Sequence, residues 1–151
     1  MKNDINILRI TRTNILNLIS SLSVEQLNRI PEGFNNNIIW NVAHNVVTQQ
    51  LLVYRLSGVD IRIDENLIDK YRKGSKPSNE VSTEEIELVK GLLLDTVDWM
   101  EEDYENGLFQ SYKEYTTSYN ITLSSTEDAI RFNNTHEGLH LGYAMALKKL
   151  V

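Results

Sequence analysis

Four long stretches of this 151-residue chain space their apolar side chains three and four residues apart, and only two prolines, Pro31 and Pro77, punctuate them. Residues at that spacing stack on one face of an α-helix, and proline is the residue that would break it. The pattern therefore demands helices that bury one side, and it leaves little room for a sheet.

The first helix is predicted over about 3–22, where Ile5, Leu8, Ile15, Ile19 and Leu22 form the stripe, Leu16 and Leu18 widen it and Arg12 interrupts it. Ser23 and Gln26 have the spacing of a capping box and open a short extra turn, ended by Pro31 and Gly33. After the polar run Asn35-Asn36-Asn37, a second helix is predicted over about 37–57, with Trp40, His44, Val47 and Leu51 on one side and Gly58 as its C-terminal cap. The pattern then weakens from 59 to 82, where a short helix around Leu67 to Arg72 precedes the turn-rich "KGSKPSNE" of a crossover loop. Thr83 caps a third helix carrying Ile86, Val89, Leu93, Val97, Met100 and Tyr104 as far as Gly107. Tyr115, Thr117, Tyr119, Ile121 and Leu123 alternate, which fits a small hairpin or extended excursion. Ser125 with Asp128 opens a fourth helix that runs almost to the end. The expected architecture is a single all-α domain over residues 1–151, a four-helix bundle with a long middle crossover connection.

Composition narrows the chemistry. Fifteen basic against 21 acidic residues give a formal charge of −6, so binding to nucleic acid or anionic lipid is not expected. With no cysteine there is no disulfide, no thiolate nucleophile and no sulfur ligand, so any metal must sit on nitrogen and oxygen. The amphipathic start lacks the unbroken apolar run of a signal peptide or membrane span, and a cytoplasmic location is the expectation. A two-fold homodimer is the base-rate expectation for an acidic helical bundle.

The chain has three histidines, His44, His136 and His140. At about 100° per residue, with His136 at zero, His140 falls near 40°, Ala129 and Leu147 near 20° and Tyr143 near −20°. Both imidazoles thus lie in the apolar stripe of the fourth helix, and His44 shares its face with Trp40 and Leu51. Buried imidazoles need partners that a helical core rarely provides. One divalent cation would supply them, because side chains four apart on a helix converge on one point and neutral imidazole binds such an ion. The alternative is that they are core histidines, or histidines around a site rather than in it. Metal affinity is expected to weaken below about pH 6.5, where free imidazole protonates.

The segment "HEGLH" also matches H-E-x-x-H, in which two histidines bind zinc and the glutamate acts as general base of a metalloprotease. The context departs from that motif: Tyr143 and Ala146 stand where a metzincin has glycine and a third histidine, and no glutamate follows Glu137.

The segments "NIIWNVAHNVVTQQ" and "HEGLHLGYAMAL" together resemble the DinB/YfiT-like superfamily of metal-binding helical bundles, the first its tryptophan-then-histidine segment and the second its closing H-x-x-x-H-x-G pattern. The resemblance extends to helix order, length and the long middle connection. It implies that His44, His136 and His140 hold zinc, nickel or a similar divalent ion with positions left for water or substrate. Gly142 matches the small residue after the last ligand, whereas Tyr143 replaces a glutamine common among relatives. Some relatives transfer or use a low-molecular-weight thiol, so a metal-dependent thiol transferase or hydrolase acting on a small electrophilic molecule is the leading expectation, and a non-enzymatic bundle with a structural ion or small ligand is the alternative.

Glu137, near 100° on the wheel, is the candidate general base; its other reading is a solvated surface carboxylate. Asn41 and Asn133 flank the imidazoles and are candidates to accept a ring N–H. Trp40 either lines the pocket mouth or belongs to the core.

Overall fold

Five of the six α-helices begin on a short polar side chain that accepts one of the first free amides: Ser23, Asn37, Asp64, Ser82 and Ser125. The computed structural model describes all 151 residues. In order, the elements are α1 (Lys2–Ser20), α2 (Val24–Asn28), α3 (Ile38–Gln49), α4 (Glu65–Tyr71), α5 (Thr83–Glu105), strands β1 (Tyr115–Thr116) and β2 (Thr122–Leu123), and α6 (Thr126–Leu147). The capping box at Ser23 and Gln26 forms as the spacing requires. The cap of α5 is Ser82, one residue before the expected Thr83, because Ser82 Oγ accepts from the amide of Glu85.

The predicted second helix is one continuous helical run in three registers. α3 passes into a π-helical turn over Gln50–Tyr54 and a 3₁₀ turn over Arg55–Ser57, and Gly58 ends it at φ 71°, a conformation that suits glycine. The wider turn changes which side chains share a face, so Leu51 is only half-buried, whereas Leu52, Val53 and Tyr54 are buried.

α1 and α3 each pack against both α5 and α6, while α4 and the crossover lie against α3. β1 and β2 pair antiparallel, Tyr115 opposite Leu123 and Thr116 opposite Thr122, and β2 rests on α6. The alternation from 115 to 123 therefore yields two short strands, with the 117–121 segment forming the turn, where the Thr117 amide donates to the Ile121 carbonyl at 2.9 Å. No helix is long and apolar enough to cross a membrane.

A polar layer divides the apolar core into two clusters. One contains Ile15, Ile19, Leu93, Ala144 and Leu147; the other contains Ile5, Leu8, Val97, Met100, Ala129 and Phe132. Between them lie Arg12 of α1, Asn45 of α3, Thr96 of α5 and Glu137 of α6, all buried. Arg12 is fully buried, and all of its donor nitrogens are used. Nε contacts both Glu137 oxygens at 3.1 and 2.9 Å, Nη1 donates to Thr96 Oγ1 and the Leu93 carbonyl, and Nη2 donates to Glu137 Oε1 and the Asn45 carbonyl. One guanidinium thus binds three other helices, and the residue that breaks the α1 stripe in sequence sits at its centre in the fold.

Candidate metal centre

α3 presents His44, and α6 presents His136 and His140 one turn apart, so three rings meet between the two helices. Their centroids lie 4.5 Å apart for His136 and His140, 4.8 Å for His44 and His140 and 5.2 Å for His44 and His136. One nitrogen from each ring lies within 4.8 Å of the others, which is within reach of one small cation. His44 is buried; His136 and His140 are half-buried.

Two of the rings have a fixed orientation and tautomer. His44 Nδ1 donates to the backbone carbonyl of Tyr71 at 2.6 Å, and a carbonyl can only accept. The lone pair of His44 is therefore on Nε2, where the Thr48 hydroxyl stands 3.3 Å away. Trp40 stacks on the same ring at 4.7 Å with an 11° interplanar angle, and its indole N–H is held by Ser75 Oγ. Trp40 is thus a buried residue that sets the plane of the His44 ring.

His140 Nδ1 donates to Asn41 Oδ1 at 2.8 Å. The amide is oriented because Asn41 Nδ2 donates to the Asn37 carbonyl and to Asn36 Oδ1, so the polar run before α3 both caps the helix and aims an acceptor at His140. The lone pair of His140 is again on Nε2. Such bonds to the far nitrogen are the usual support of metal-binding histidines. Asn133, the other candidate, turns away and donates to Glu137 Oε1 at 2.7 Å. His136 Nδ1 is buried with no hydrogen-bond partner.

Burial keeps all three rings neutral. It lowers the pKa of His44, partly offset by the bond to Tyr71. It pushes His136 down to about 3 and His140 to about 4, with repulsion from the neighbouring imidazoles acting in the same direction. Since protonated imidazole cannot ligate, the acid window for metal release lies well below the pH 6.5 of a free ring. Neutral rings, with His140 Nε2 free, His44 Nε2 met only by the Thr48 hydroxyl and His136 Nδ1 buried without a partner, form a donor set suited to a divalent ion. The group contains no fourth side chain of histidine, aspartate or glutamate.

Glu137 does not occupy a solvated surface. It is fully buried, and its oxygens accept from Arg12 and Asn133, with no bond to an imidazole. The wheel explains the difference: the buried residues of α6 (Ile130, Phe132, Asn133, Glu137, Ala144 and Leu147 among them) span from about −40° to about 120° on the scale used above. The arc is centred near His140 and is wide enough that Glu137, about 60° from that centre, falls inside it. Tyr143 lies at the opposite edge, exposed and edge-on to Phe34 at 5.7 Å. The signal for Glu137 was Arg12 at a core position, whose charge requires a buried partner. The carbonyl of Tyr71 had no sequence signal, because every residue has one.

A cavity of about 280 Å³ opens beside His44 and His136, between the π-helical turn, Phe132 and the hairpin. On the far side of the centre, Tyr119 at the hairpin turn packs on Phe132 and reaches the hollow around His140. Residues of the hairpin thus line both hollows beside the imidazoles.

In fold the chain is similar to a crystal structure of a conserved protein from Enterococcus faecalis, with a TM-score of 0.68 at 12% identity over 99% of this chain and 95% of that one. Identity this low speaks for the fold alone. Among curated proteins none matches. The sequence profile of the DinB superfamily matches residues 7–144, which takes in both helices of the histidine centre. With most of its length so matched, the chain belongs to the DinB superfamily.

Proposed function

We propose that the chain is a metal-dependent enzyme in which His44, His136 and His140 hold a divalent ion, zinc or nickel by preference of the all-nitrogen donor set, and that it performs thiol transfer or hydrolysis on a small electrophilic substrate, with a low-molecular-weight thiol as co-reactant in the first case. The observation that carries this reading is the number three. Structural sites of this kind are closed by four protein ligands, whereas here only three imidazoles gather, beside a cavity that a substrate can enter. The chemistry such an ion supplies is Lewis acidity, which generates a nucleophile from water or a thiol near neutral pH.

The chain's own residues do the rest. Tyr71 and Asn41 hold two rings through Nδ1 and leave the lone pair on Nε2, Trp40 fixes the plane of the His44 ring, and burial prevents protonation from competing for the lone pairs. Leu52, Phe132 and the hairpin keep bulk water from the approach. Glu137 is engaged by Arg12, so we assign it to holding α6 in place rather than to proton transfer. A structural ion is the second reading, favoured by one fact: the three imidazoles bridge α3 and α6, and an ion would staple them.

The test is metal content and turnover on one preparation. The chain purified without chelator is expected to carry about one equivalent of divalent ion, lost in His140→Ala. Chelation should abolish turnover of a chromogenic electrophile with a thiol, or of an activated ester, and zinc or nickel should restore it. A stoichiometric ion with no turnover in either assay, together with a large drop in Tm on chelation, would establish the structural reading instead.

A further inference from the structure

The cavity beside His44 and His136 has a charge pattern that the metal centre does not require. Its body is apolar, formed by Leu52, Leu56 and Phe132, yet the charged side chains on its rim, Arg55 and Lys73, are both cationic, and no carboxylate lines it. This is notable in a chain whose formal charge is −6. The two cations are not equivalent. Arg55 is paired with Glu65 at 2.6 Å, while Lys73 makes no ion pair. Lys73 is also held close to the chemistry by the crossover, because Tyr71, two residues before it, gives its carbonyl to His44, and Ser75, two residues after it, receives the indole N–H of Trp40. At about 280 Å³ the space suits a small molecule and not a polymer.

We propose that this cavity binds a small carboxylate with an apolar body, its hydrocarbon part against Leu52, Leu56 and Phe132 and its carboxylate at the Lys73 ammonium, so that the far end of the molecule is directed at the imidazoles. This rests on the reading of the histidine centre as the place of reaction, and it names the class of substrate that centre would receive. Lys73 is a specificity-determining residue here. It recognises charge at the rim, and the apolar wall recognises shape.

The experiment is calorimetric titration of the full chain, as purified with its metal, using hexanoate, hexanol and hexylamine as probes, on wild type and on Lys73→Ala, Lys73→Glu and Lys76→Ala. Lys76 is exposed in the same crossover and off the cavity, so it controls for general charge. Hexanoate is expected to bind more tightly than hexanol, and hexylamine not to bind. Lys73→Ala should weaken hexanoate about fivefold, the scale of a solvent-facing ion pair, and Lys73→Glu about tenfold or more, with hexanol unchanged in both. Lys76→Ala should leave all three probes unaffected. Equal affinity for hexanoate and hexanol, or hexanoate binding that survives Lys73→Glu, would overturn the proposal. Metal is counted on the same samples: wild type without an ion but with Lys73-dependent binding sinks the metal-centre reading and not this one, whereas a loaded chain whose binding ignores Lys73 sinks this one alone.

Discussion

Two polar clusters meet on α6 at neighbouring residues, and they have opposite characters. At Glu137 the carboxylate faces a guanidinium whose donors are all engaged, with contacts spread over four helices. At His136, one residue earlier, a buried ring nitrogen has no partner, and one nitrogen of each of the three rings lies within 4.8 Å of the others, with only the Thr48 hydroxyl on the Nε2 of His44. Burying polar groups is costly in both places, and the difference lies in what offsets it. The arginine–carboxylate pair balances its own charges, although Asn45 Oδ1 and Asn133 Oδ1 beside it have no partner; three neutral imidazoles gathered at one point have no such pairing and are suited to receive a cation from outside.

The comparison is broken most forcefully at Arg12. Arg12→Ala strands Glu137 as a buried uncompensated charge and is expected to cost about 3–5 kcal/mol in urea unfolding, whereas the double replacement Arg12→Met with Glu137→Leu should recover most of that loss. A loss below about 1 kcal/mol for the single variant would mean that the pair is effectively solvated. The histidines should behave in the reverse way. His140→Ala is expected to lower metal affinity at least 100-fold, about 3 kcal/mol, by removing a ligand, yet to leave the metal-free chain about as stable as wild type.

Acid sharpens the contrast by a smaller amount. The imidazole pKa values are lowered on folding, to about 3 for His136 and about 4 for His140, so the unfolded chain takes up protons first. Their contribution to stability is complete above the unfolded value of about 6.5 and is lost as pH falls from there toward the folded values. The metal-free chain should lose about 2 kcal/mol for each of these two imidazoles between pH 7 and pH 5, read from urea midpoints, and a His136→Ala/His140→Ala variant should lose much less. The smallest effect is expected at Asn41. Asn41→Ala frees the His140 ring to turn and should weaken metal binding about tenfold in a competition titration, with Asn41→Asp, which keeps the acceptor, close to wild type.

Much of this could be read from the chain before folding. The helices, the capping box at Ser23 and the cap at Ser125 were legible because they depend on residues within one turn of each other. The pairing of His136 with His140 was legible for the same reason. Asn41 was legible in part: it stands one turn before His44 on α3, although its amide supports His140 across the gap. Glu137 was misplaced because a wheel drawn from apolar residues puts a carboxylate outside the stripe, and its partner Arg12 lies 125 residues away. The register change at Gln50–Tyr54 left no mark that periodicity could detect, since Leu51, Leu52 and Val53 are apolar in any register.

Local pattern alone determined a helical chain with an imidazole pair on its last helix, because capping and three-to-four spacing act between near neighbours whatever the rest of the molecule does. Only the tertiary structure decided that His44 joins that pair, that a crossover carbonyl and an asparagine amide set two of the ring tautomers, and that Arg12 and Glu137 share one dry layer. Each of those depends on groups far apart in sequence, and a contact between them has no energy until packing excludes the water that would otherwise satisfy both.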